Sequence, residues 1–177
     1  MEGSGSEGYL YIIGDNANMS QTVLARITEA SMLQFNWSQM QFWTGWSSGT
    51  TKVTTTAHQT FPAGTLIYNA YMQAWYIISL QAYESFVWLS YAKNLTGPWH
   101  SSPVYQIPTQ WTKSPFISYA AKAHPEYADP GQIIVTYNTN TNNGLGPMVS
   151  DIAIYHPHFV QLDIVLEPAS DFELVVP

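Results

Sequence analysis

The hydrophobic positions of this chain gather in short runs rich in aromatic and β-branched residues, broken by Gly, Pro, Asn and Ser, and that pattern predicts strands and turns. It is densest over residues 64–108. Thr65–Asn69, Trp75–Gln81, Phe86–Ala92 and Val104–Ile107 follow one another there with turn residues between them. Four such runs in succession predict one up-and-down sheet of about 45 residues, the size of a propeller blade. A unit of this kind cannot bury both of its faces alone, so similar units are expected beside it.

The flanks supply them. Upstream, Tyr9–Gly14, Thr22–Ile27 and Met40–Thr44 match the second, third and fourth strands of the central unit, with no counterpart of the innermost strand. Downstream, Ile117–His124 reads as an inner strand, Asp129-Pro130-Gly131 as a turn, and Ile133–Tyr137 and His158–Ile164 as the second and third strands. Phe172–Val176 is a candidate fourth. The expected fold is therefore all-β: two to three four-stranded antiparallel meanders, β-propeller blades, in one partial propeller domain over residues 9–177. Residues 1–8, MEGSGSEG, read as a flexible leader or tag, because Gly and Ser leave nothing to bury.

Composition narrows the function classes. Charged residues make up 10% of the 177, against roughly 25% in ordinary globular domains. The net charge is −7 with five Lys+Arg, which argues against a nucleic-acid partner and against an anionic membrane surface. No run of about 18 apolar residues predicts a membrane span. With no cysteine, a disulfide framework, a thiolate metal site and a Cys nucleophile are all excluded. The sequons Asn18-Met-Ser20, Asn36-Trp-Ser38 and Asn94-Leu-Thr96 fit a secreted, extracellular glycoprotein.

The segments YAKNLTGPW (91–99), YNAYMQAWYIISL (68–80) and YAAKAHPEYADPGQIIVTYN (119–138) resemble the last blades of a secreted fungal and bacterial five-bladed propeller family of unknown function. That family is similar in outline to the five-bladed glycoside hydrolases of the arabinanase and β-xylosidase type. The resemblance covers about residues 9–166. It implies carbohydrate as the partner and a central site fed by inner strands. Five blades need about 250 to 300 residues, so the chain is expected to be the C-terminal part of a propeller that lacks N-terminal blades or closes by homo-oligomerisation.

Meander topology suggests where chemistry sits. The start of the first strand and the end of the second share one mouth with the start of the third and the end of the fourth. That groups His58, Asp15–Asn18, Tyr83-Glu84 and the Asn-rich stretch 138–143. On the inner strand 119–126, Lys122, His124 and Glu126 alternate with Ala121, Ala123 and Pro125, so the polar set is expected to face the channel. Glycoside hydrolysis uses two carboxylates about 5 to 9.5 Å apart. Glu126 and Glu84 are the candidate catalytic acids; His58, Lys122, His124 and Asp15 are candidate substrate-binding residues. Trp46, Trp75, Trp99 and Trp111 could stack on sugar rings or fill the space between blades. His156 and His158 have workable metal spacing, but Pro157 between them suggests an edge or bulge, and no third ligand is near in sequence. No metal or cofactor is assigned. Three functions stay open: a glycoside hydrolase, a non-catalytic glycan-binding module and a structural propeller fragment.

Overall fold

The computed structural model describes residues 8–15, 22–43, 52–53 and 64–165. Among these the chain forms three antiparallel sheets and almost no helix. The first sheet contains β1 (Tyr9–Asp15), β2 (Thr22–Thr28), β3 (Gln41–Phe42) and β4 (Lys52–Val53), with β1 on one side of β2 and both short strands on the other. The second is a continuous meander of β5 (Ile67–Asn69), β6 (Ala74–Ser79), β7 (Phe86–Ala92) and β8 (His100–Gln106). The third has three strands in sequence order: β9 (Phe116–Ala123), β10 (Gln132–Thr141) and β11 (Pro157–Asp163). Two short helices, α1 (Glu29–Leu33) and α2 (Leu145–Ser150), sit in connections.

The expected order of strands holds in all three sheets, and several boundaries move. β5 begins at Ile67, not Thr65. β8 begins at His100, because an outer strand tolerates Pro103 where an interior one would lose a ladder hydrogen bond. β10 continues to Thr141, so Asn138 and Asn140 lie on a strand rather than at a loop tip. The pairing of β4 with β2 and the two helices have no counterpart in the expectation. The segment 172–176, His58, Trp46 and the sequon at Asn18 lie outside the described residues.

The second sheet is central because it is buried on both faces. Along β6, Ala74, Tyr76 and Ile78 join one core with Val87, Leu89 and Tyr91 of β7 and with Ala121, Ala123, Ile133, Val135, Tyr137 and Leu162 of the third sheet. The alternate residue Ile77 joins Ala92, Trp99 and, from the first sheet, Leu24. A strand buried on both sides reads as a continuous apolar run, which is what AWYIIS is. Trp99 closes the β7–β8 corner. It is fully buried, and its indole N–H donates to the Leu95 carbonyl at 3.2 Å.

A bulge sets the facing of β9. Ser118, Ala121 and Ala123 are all buried, a spacing of three and then two that a regular strand cannot place on one face. The extra residue is absorbed where the register shifts between Thr136 and Asn138, and Ala120 takes a left-handed φ of 53°. Past the bulge Lys122 pairs with Thr136 on the face turned away from the second sheet. Because the third sheet has no strand beyond β11 among the described residues, a groove of 530 Å³ opens between β8 and β11. Phe86, Pro103, Tyr105, Val160 and Leu162 are among its walls.

Trp99→Ala is expected to cost about 3 to 5 kcal/mol, since it empties a fully buried site between two sheets. Two buried serines should behave oppositely under the same denaturant titration. Ser79 Oγ has no hydrogen-bond partner among the described residues, so Ser79→Ala should be neutral or stabilising. Ser90 Oγ lies 2.6 Å from Ser101 Oγ, so Ser90→Ala should cost about 1 kcal/mol. Equal losses for both would contradict this packing.

Candidate functional site

Turn chemistry and sheet stacking together build a cleft at one end of the second and third sheets. On one side is the β5–β6 turn. Asn69 Oδ1 accepts from the Tyr71 and Met72 amides at 2.9 and 3.0 Å, a side-chain-mimicked turn that fixes the backbone carrying Tyr71. Opposite is the β9–β10 connection, where Gln132 N donates to the Asp129 carbonyl at 2.9 Å around Asp129-Pro130-Gly131. Gly131 adopts φ +85°, and the Tyr71 ring lies against it. A Cβ there would be in ordinary contact with the Tyr71 Cζ, at 3.4 Å, so it is the left-handed φ of the turn that favours glycine.

The cleft encloses 260 Å³, with Tyr68, Tyr71, Tyr76, Asp129, Pro130 and Gln132 among its walls. Tyr68 and Tyr71 remain about half exposed, at 51% and 46%, and Tyr68 meets Trp75 edge to face at 5.3 Å. The Tyr76 hydroxyl is pushed up to about 12 by burial and then by the Glu126 charge, so it stays protonated and able to donate.

His124 and Glu126 stand beside this cleft. His124 Nδ1 lies 2.9 Å from Glu126 Oε1, and Nε2 lies 2.8 Å from Thr136 Oγ1. The imidazole also stacks on Tyr127 at 6.0 Å. Both ring nitrogens are thus occupied. The hydrogen bond from His124 holds the Glu126 carboxyl below its ordinary range, a direction that suits a carboxylate and opposes a general acid, whose pKa must rise. Glu126 belongs to a 3-10 turn, Pro125–Tyr127, not to the inner strand, which ends at Ala123 because Pro125 has no N–H for the ladder. Lys122 is exposed on the outer face of the third sheet.

Of the residues singled out from sequence, the structure brings together His124 and Glu126, with Lys122 near enough to lower the Glu126 pKa slightly. It does not bring Glu84 to them. Glu84 sits in the β6–β7 turn, its amide donating to the Gln81 carbonyl at 3.2 Å. The neighbouring Tyr83 hydroxyl accepts from Asn142 Nδ2 at 3.2 Å, past the far end of β10. The two glutamates therefore lie at opposite ends of the stacked meanders. β6 alone is six residues long, roughly 20 Å at about 3.3 Å per residue. The expectation of one depression shared by Glu84, Lys122, His124 and Glu126 is corrected on this point. Asp15 ends β1 opposite Thr22, on another sheet.

The tyrosine cleft itself was not anticipated. Both of its turns were readable, but their apposition depends on how two sheets stack. Of the tryptophans, Trp99 is buried and Trp75 and Trp111 are partly buried against core clusters, so all three serve packing. His156 and His158 rings approach to 4.2 Å. Among the described residues no group of three His, Asp or Glu could hold a metal ion.

This architecture is an all-β assembly of stacked antiparallel meanders with loop-borne clefts at their ends. The chain belongs to the family described as Domain of unknown function (DUF5005), whose model matches residues 2–164. No curated protein matches it. Among solved structures it is similar to a crystal structure described as "a putative hydrolase" from Bacteroides ovatus ATCC 8483, at 15% identity and a TM-score of 0.61. The match covers 86% of this chain and 41% of that one. The chain thus spans about two fifths of that protein's length, and the likeness is one of fold.

His158 gives a pH signature. Burial, and then the neighbouring His156, lower its pKa below the ordinary 6.5. The folded state then binds fewer protons than the unfolded one just below that value, so this group's contribution is full above about pH 6.5 and is lost as pH falls through it. His158→Gln should lessen the drop in urea midpoint between pH 7.5 and pH 5.5. An unchanged drop would show that His158 does not carry it.

Proposed function

We propose that this protein recognises carbohydrate through the cleft between the β5–β6 and β9–β10 turns, as part of a secreted five-bladed propeller to which this chain supplies three blades. The observation that carries the reading is the pair of half-exposed tyrosines, Tyr68 and Tyr71, on fixed backbone beside the polar groups of Asp129 and Gln132. Ring faces suit the C–H faces of a pyranose, and a few convergent polar groups set its orientation. Exposed positions for the Asn36 and Asn94 sequons support secretion. Further blades, from another segment or from a second copy, would cover the outer face of the third sheet, where Phe159 is 66% exposed.

A second reading is glycoside hydrolysis; the description of the Bacteroides ovatus structure names a hydrolase without a substrate and supports hydrolysis alone. In that reading Glu126 is one carboxylate, and its partner comes from a blade outside this chain, because Glu84 is too distant to share a scissile bond.

The test is a glycan array followed by calorimetry and turnover assays. Tyr71→Ala should weaken binding about tenfold, close to 1.4 kcal/mol, while the melting transition moves little. Turnover abolished by Glu126→Gln with binding retained would establish the hydrolase. No binding to any glycan at millimolar concentration would refute both readings.

A further inference from the structure

The cleft has a charge character that the carbohydrate reading alone does not require. No Lys or Arg is among its walls. Asp129 is exposed at its rim, and Glu126 lies close enough to act on the Tyr76 hydroxyl within it. Lys122 belongs to the outer face of the third sheet, opposite Thr136. The cleft's other walls are neutral, and three of them, Tyr68, Tyr71 and Tyr76, are tyrosines, whose ring faces carry negative electrostatic potential. The whole chain adds a net charge of −7.

From these observations we infer that the cleft prefers saccharides bearing a protonated amine, with the Asp129 carboxylate as counter-charge and the faces of Tyr68 and Tyr71 as a cation-accepting wall. This rests on the carbohydrate reading above. An ammonium held over a ring face within about 6 Å, beside a carboxylate, gains both a cation–π and an ionic contact. Asn69 contributes its Nδ2 as a donor to sugar hydroxyls, since its Oδ1 is committed to the turn. A uronate or sulfated sugar would meet the Asp129 carboxylate with no Lys or Arg among the cleft walls to pair with it, since Lys122 and His124 act on Glu126 beside the cleft. Because the site opens to solvent, screening keeps the preference moderate and salt-sensitive.

The experiment is calorimetric titration of the whole chain with hexasaccharides matched in linkage. β-1,4-linked glucosamine, its N-acetylated counterpart and an oligogalacturonate are compared at low and high salt, with hexalysine as a control for charge without a sugar ring. The free-amine sugar should bind about three- to tenfold tighter than the acetylated one at low salt, with the ratio shrinking in high salt. The galacturonate should bind weakest. Asp129→Asn should bring the free-amine and acetylated affinities within about twofold of each other, and Tyr71→Ala should weaken both together.

Several results would overturn the inference. Equal affinity for the amine and its acetylated form, or tighter galacturonate binding, would end it while leaving carbohydrate recognition standing. Hexalysine binding as tightly as the amino sugar would show an acidic patch without saccharide selectivity. Absence of binding by every sugar would remove the carbohydrate reading and this inference with it.

Discussion

The structure depends on the burial of the second sheet from both sides. Alternate residues of β6 enter two different cores, Tyr76 and Ile78 toward the third sheet and Ile77 toward the first. Along β10 of the third sheet only alternate residues are buried, so that sheet relies on the middle one for a dry surface. Trp99 strengthens the arrangement at the β7–β8 corner, where it reaches Leu24 of β2 across 75 residues of sequence. The apolar area covered in this way is the dominant favourable term for a chain that has no disulfides to restrict its unfolded state. The order of the sheets follows from it, and so does the meeting of the Tyr71 and Gly131 turns.

Much of the fold was legible because local signals and tertiary packing agree. The runs at 74–79 and 86–92 combine β-branched and aromatic residues with turn residues on either side, and both are strands within a residue or two of expectation. Disagreement arose where geometry is set by more than the local run. β8 starts before Pro103, at His100, because the outer edge accepts a proline. The bulge at Ala120 could not be read from a sequence with no glycine there, since a left-handed alanine is uncommon. The site was less legible for the same reason. Asn69–Tyr71 and Asp129–Gly131 are 60 residues apart, and only the stacking of two sheets makes them neighbours. Meander topology groups Glu84 with the mouth, and alternation along 119–126 points Glu126 toward the channel, but Glu126 follows the C-terminal end of β9. The chain delivers it at the far end.

Two tiers of rigidity meet at the cleft. The tyrosines ride on a turn pinned by Asn69, and Asp129 lies in a proline-containing turn closed by its own backbone hydrogen bond. Such elements have little conformational freedom left to lose, the condition under which the proposed carbohydrate contact would need few groups. The His124–Glu126–Thr136 chain ties the adjacent strand end to β10. Its contribution to the cleft is therefore positional, holding the β9–β10 connection where Tyr71 can lie on Gly131.

The groove between β8 and β11 has a consequence for how the molecule opens. Strands β6 and β7 are shielded on both faces, while among the described residues β11 has one uncovered face and one edge without a partner, so there its outward amides find neither packing nor pairing. Resistance to opening is greatest where burial is deepest and falls toward such margins. Loss of structure should then run inward from β11 through β10, leaving β6 and β7 as the last cooperative unit. The molecule has, in effect, a grain: a durable middle and a margin that yields first.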